Sequence, residues 1–143
     1  MSIDTDGAQQ IVTALDWLEA LGAPLLAAIV SGTIALFSQR AEDQKFLLDT
    51  LGHFTGGTQN RSVGLGVIEG NLDFFSKKYA KTVVPVLVNQ LAYLTIQKPA
   101  EEAHEAINRE RILHALSQLK VRRADIFTQD QNDLISKCKN WVP

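Results

Sequence analysis

The chain has a single cysteine, Cys138, among its 143 residues. A disulfide framework within one chain is therefore excluded, as are a CxxC pair and a zinc ribbon, and the usage fits a reducing compartment. A thiol between Lys137 and Lys139 could be reactive, but a structural cysteine is the simpler expectation. Bases are missing from the first 39 residues, which carry the acids Asp4, Asp6, Asp16 and Glu19. That flank argues against a secretory leader, whose first segment is basic. No HExxH occurs, and His104 beside Glu105 and Asn108 lacks a second strong metal ligand. Gly64-x-Gly66-x3-Gly70 has the wrong spacing for a dinucleotide loop and follows no strand pattern. These glycines are better suited to close helix contact. The pattern implies no cofactor and no metal.

Charge excludes a further class. Residues 40–143 hold all 14 bases and 12 of the 16 acids, so this part of the chain is near neutral. It offers no bulk electrostatic basis for binding nucleic acid or an acidic substrate.

The dominant feature is the run from Ala20 to Gln39, twenty positions without a charged residue. As a helix it would rise about 30 Å, the thickness of one hydrocarbon core. Trp17 lies just outside, where an interfacial indole would sit. The first bases, Arg40 and Lys45, follow at once, which places the N-terminus outside and the C-terminal part in the cytoplasm. Ala27, Ser31 and Ala35 form one small-residue stripe, and Ala28 and Gly32 form its neighbour. Such stripes let helices associate in lipid. The expected organisation is an acidic segment over 1–19, a transmembrane helix over 20–39 and a cytoplasmic helical domain over 40–143.

Within the first segment, Ile11, Ala14, Leu15 and Leu18 fall at helical spacing, and Gly22-Ala23-Pro24 predicts a break. Pro24 would then open a helix running to Leu51 and stopping at Gly52. Gly56-Gly57 predicts a turn, with Thr58 capping a helix over 59–69. A short helix over 71–80 brings Phe74, Phe75 and Tyr79, with Lys77, Lys78 and Lys81 as a small basic group able to meet anionic headgroups or simply water. Thr82 to Ile96 is apolar but short for a span, and reads as the central helix of the domain with Pro85 in its first turn. Lys98-Pro99 reads as a linker. The next helix, over 100–119, opens on Glu101, Glu102 and Glu105. Its expected buried face is Ala103, Ala106, Ile107, Ile112, Leu113, Leu116 and Leu119. Thr128 and Gln131 have capping-box spacing ahead of a last helix ending near Asn140.

Residues 46–72, FLLDTLGHFTGGTQNRSVGLGVIEGNL, join an apolar helix end, a short turn and a second helix with an early arginine, Arg61. This segment resembles one HEAT/armadillo-like helical repeat. The resemblance implies helix-pair packing and a protein-binding surface. It covers about 30 residues, with no second copy at a fixed period.

Arg109 and His114 stand in an R-x4-H spacing that is similar to the motif of HEPN-type ribonucleases. That resemblance implies His114 as acid/base and Arg109 as phosphate binder. The residue after the arginine, Glu110, departs from the family pattern. On a straight helix the two side chains point about 140° apart. The alternative is a surface His114 paired with Glu110 or Arg111, and a solvated Arg109.

Together these features predict an all-α chain: an N-terminal transmembrane helix followed by a small helical bundle with HEAT-like helix pairs. The expected function is that of a non-enzymatic, membrane-anchored adaptor that self-associates and binds a protein partner. A membrane-tethered ribonuclease using Arg109 and His114 is one alternative. A soluble helical adaptor with residues 20–39 buried in a partner interface is the other.

Overall fold

The computed structural model describes residues 5–97 and 103–140, with side chains described for 27–96 and 103–140. All regular structure among the described residues is helical. Helix α1 spans Thr5–Gly52, α2 Thr58–Gly70, α3 Leu72–Phe74, α4 Ala80–Ala92, α5 Ala103–Arg122 and α6 Gln129–Lys139. Two π-helical turns, Phe75–Tyr79 and Tyr93–Gln97, flank α4, and 3₁₀ turns occupy His53–Thr55 and Ala124–Ile126. The chain divides into two compact units, residues 1–44 and 45–143.

In the first unit the expected break at Gly22-Ala23-Pro24 is absent, and the α1 backbone is helical from Thr5 onward. A proline inside a helix forfeits one i to i−4 hydrogen bond, which long apolar helices can accommodate. The expected end at Gly52 is where α1 stops. Every residue from 27 to 42 is exposed within the chain. Among the described residues, no helix is long and apolar enough to cross a membrane. Residues 20–26 of the expected span lie outside the described side chains.

The second unit holds the core. Leu65 and Ile68 of α2, Val83, Leu87 and Leu91 of α4, and Ile112, Ala115 and Leu119 of α5 are fully buried together. Phe54, Phe75, Phe127 and Cys138 close the cluster. Burial of each such side chain is worth about 1.5–3 kcal/mol, so α4, buried along most of one face, is the axis of the unit. Pro85 lies inside α4 rather than in a first turn, because helical backbone begins upstream. Its missing N–H would have served the carbonyl of Lys81, a residue exposed to solvent.

Tight packing explains one glycine. A methyl on Gly64 would stand 2.9 Å from His53 Cβ and 3.0 Å from Phe54 Cε2, so α2 meets the turn after α1 at closest approach. At Gly70 nothing lies near, so the contact belongs to Gly64 rather than to all three glycines. The capping box forms with both arms: Gln131 N donates to Thr128 Oγ1 (3.3 Å), and Thr128 N donates to Gln131 Oε1 (3.0 Å). Thr58, by contrast, caps nothing. Gly57 occupies the cap position, and the Thr58 hydroxyl is drawn to a distant carboxylate.

Candidate functional site

In the first unit the described part of the apolar run has two unlike faces. At about 100° per residue, Ala27, Ser31, Ala35, Ala28 and Gly32 fall within one arc of about 140°. Ile29, Val30, Ile34, Leu36 and Phe37 occupy the opposite arc, each between 55% and 66% exposed. Nothing lies within 4 Å of a methyl placed on Gly32, so the small face is open. Thr33 sits among the bulky residues, yet its hydroxyl donates to the Ile29 carbonyl at 2.6 Å and exposes no unmet donor. Large exposed apolar patches mark surfaces that another medium or molecule covers.

In the second unit the polar side chains cluster around Arg61, which is buried. Its guanidinium donates to Gln90 Oε1 at 2.9 Å, pairs with Glu105, and lies 5.8 Å from the centre of the Tyr93 ring. Glu105 also accepts from Thr58 Oγ1 at 2.8 Å and from Asn108 Nδ2 at 3.3 Å. Asn108 Nδ2 lies 3.2 Å from the Thr58 carbonyl. Burial disfavours ionised Glu105, but the hydrogen bonds from Arg61, Thr58 and Asn108 and the charge of Arg61 outweigh it, so its carboxyl titrates below the ordinary value. Arg61 thus ties α2 to α4 and α5. Beside this cluster a cleft of about 560 Å³ is lined by Gly57, Thr58, Gln59, Asn60, His104 and Asn108 among others.

This network is what sequence periodicity missed. Asn108 is buried, while Ala103, Ala106 and Ile107, expected on the buried face, are exposed. The first half of α5 turns its polar residues inward because Arg61 needs a carboxylate there. The second half follows expectation at Ile112, Leu116 and Leu119. The only advance signal was Arg61 itself, a charge early in an apolar helix.

The His104, Glu105 and Asn108 trio does not converge on a metal, since Glu105 and Asn108 are committed to Arg61 and Thr58. No group of three or more His, Cys, Asp or Glu residues able to hold a metal occurs among the described residues. The Arg109 guanidinium donates to Thr95 Oγ1 (3.1 Å), the Cys138 carbonyl (2.6 Å) and Glu110 (2.5 Å). It is a structural tie between α5 and α6, not a solvated side chain. His114 is exposed on another part of α5, near Glu69 and Arg111. The expected partners of His114 are taken elsewhere: Glu110 pairs with Arg109, and Arg111 is held by both oxygens of Glu69 and by Ser62 Oγ at 2.8 Å. The R-x4-H residues are therefore not brought to one place. Cys138 is buried, and burial pushes its thiol above the usual value against the lowering effects of Thr95, Arg109 and Lys137. It is a core residue rather than a reactive one.

No family model, curated protein or solved structure matches this chain.

Proposed function

We propose that the chain is a membrane-anchored helical adaptor that self-associates through the small-residue face of α1 and presents the residue 45–143 unit to a protein partner. The observation that carries this reading is the exposure of Ile29, Val30, Ile34, Leu36 and Phe37 on one side of a helix whose other side is small. Bulky apolar residues suit lipid tails, and Ala, Ser and Gly suit close helix contact within lipid. The uncharged sequence continues back to Ala20, giving the length of a span. The helix pair formed by the end of α1 and α2, resembling one HEAT/armadillo repeat, supports a protein-binding rather than a catalytic role for the second unit.

The test is carbonate washing of membranes from cells expressing the chain. Retention in the pellet is expected. Release into the supernatant would remove the anchor and leave the apolar face to a protein interface. Self-association is read separately by crosslinking in membranes: Ala28→Leu and Gly32→Leu should weaken it, and unchanged crosslinking would clear that face of the role.

A further inference from the structure

Helices α5 and α6 run antiparallel. Lys120 Nζ donates to Asn132 Oδ1 at 2.6 Å near their joining turn, and the Arg109 guanidinium donates to the Cys138 carbonyl at 2.6 Å near the far end. A cleft of about 410 Å³ lies along the seam between them. Its floor is aliphatic: Leu116 is buried, Leu113 and Ile135 are half-buried, and Val121 stands 81% exposed toward the turn. Lys120 and Lys139 are its charged lining residues. Lys139 lies seven positions beyond Asn132, the partner of Lys120. The two lysines therefore mark opposite ends of a groove about 10 Å long.

Among the described residues no acid lines this cleft, and neither lysine is paired with a carboxylate. The acids of the neighbouring segments are committed or turned away. Glu110 pairs with Arg109, Asp125 pairs with Arg123, and Asp133 accepts from Gln129 at 2.8 Å. Asp130 falls on the opposite side of α6 from Asn132 and Lys139 at about 100° per residue. Two cations flank an apolar floor and find no anion among the described residues. Electrostatic complementarity then requires anions on whatever covers that floor.

We infer that the α5–α6 cleft receives an amphipathic helix of a partner protein, with two carboxylates seven residues apart and aliphatic side chains between them on the same face. Two helical turns rise about 10 Å, the spacing of Lys120 and Lys139. An acid at i meets one lysine and an acid at i+7 the other, while residues i+3 and i+4 enter the floor. A fatty acid fits less well, because its single carboxylate answers one end only. A nucleic acid finds no aromatic ring among the lining residues on which to stack a base. The inference rests on the partner-binding part of the proposed function and is independent of the anchor. Each exposed ion pair contributes about two- to five-fold to association, so the two together contribute about four- to twenty-five-fold.

The full chain, in phosphatidylcholine nanodiscs or in plain buffer should carbonate release it, is titrated with three fluorescent stapled helical peptides. One carries glutamates seven residues apart with leucines between, one has lysines in place of the glutamates, and one has the glutamates on the opposite face. The first should bind at least about four-fold more tightly than either control, and K120Q/K139Q should remove that preference. Ser136→Phe fills the cleft while keeping both lysines and should abolish binding with thermal unfolding unchanged. If it alters unfolding, Ser117→Phe, from the α5 wall, takes its place. No binding of the acidic peptide at about 1 mM, or equal binding to wild type and K120Q/K139Q, overturns the inference. Loss of self-crosslinking in Ser136→Phe would put a second copy of the chain in the cleft, and tighter binding of a long-chain fatty acid than of the acidic peptide would put a lipid there. Either result overturns the partner helix. Carbonate washing decides the anchor separately.

Discussion

Two apolar stretches of this chain meet opposite fates. In α4, Val83, Val84, Leu87, Val88 and Leu91 are between 0% and 3% exposed, while in α1 the comparable Ile29, Val30, Ile34, Leu36 and Phe37 are all more than half exposed. Both are helical and both lack charge over their apolar centres. The difference lies in what surrounds them. Around α4, the sequence supplies three further amphipathic helices within about fifty residues, each with an apolar face to donate. Residues 27–37 stay exposed, and nearly half of that helix circumference is too small to bury anything large. Hydropathy alone cannot separate a core helix from one that needs lipid or a partner. The distribution of side-chain size around the helix, and the supply of partner helices, can.

The largest expected effect is at the polar centre of the buried region. Arg61→Leu leaves Glu105 in place without its cation and should destabilise the second unit by about 3–5 kcal/mol, read from chemical denaturation. An unchanged midpoint would mean that the pair is ornamental and that apolar contacts alone hold α2 to α5. The same pair has a pH signature. The Glu105 carboxyl is lowered in the folded state, so its contribution is present above the unfolded value of about 4.3 and is lost as pH falls through the lower folded value. Denaturation midpoints should fall across that acidic window, and Glu105→Gln should flatten the fall while costing stability at neutral pH.

Next comes the exposed region. Ile34→Lys places a charge near the middle of the apolar run and should disfavour membrane insertion by about 3 kcal/mol. Carbonate washing should then release the protein, with thermal unfolding of the second unit unchanged. Release together with loss of that unfolding transition would show that the two regions depend on one another. The smallest effects test helix contact within α2. Gly64→Ala forces a methyl against His53 and Phe54 and should cost about 1–2 kcal/mol. Two residues on, a methyl at Gly66 would meet only Arg111 Nη2 at an ordinary 3.6 Å, so Gly66→Ala should stabilise by up to about 1 kcal/mol. Thermal melts that moved the same way for both would contradict the packing described for Gly64.

What could be read from the residues divides along the same physical line. Helix identity, the stop at Gly52, the capping box at Thr128 and the buried half of α5 follow from local rules, and each was legible. The π turns at 75–79 and 93–97 have no such signature, because one extra residue per turn leaves composition untouched. The inward polar half of α5 was illegible for another reason. Glu105 and Asn108 look like surface residues until Arg61, more than forty positions earlier, is known to arrive beside them. A contact twenty-nine positions away likewise defeats the R-x4-H motif: Arg109 is claimed by a backbone carbonyl of α6, which no spacing rule within α5 can reveal.

The burial of Cys138 has a practical corollary. The chain's sole thiol is shielded by the packing of α6, and the Arg109 side chain is bonded to its own carbonyl. A maleimide can reach it only when the last helix lifts away. Its labelling rate therefore clocks that opening at a single known position, without an introduced probe. Comparison of the rate with global unfolding would tell whether the C-terminal helix detaches alone or only with the rest of its unit.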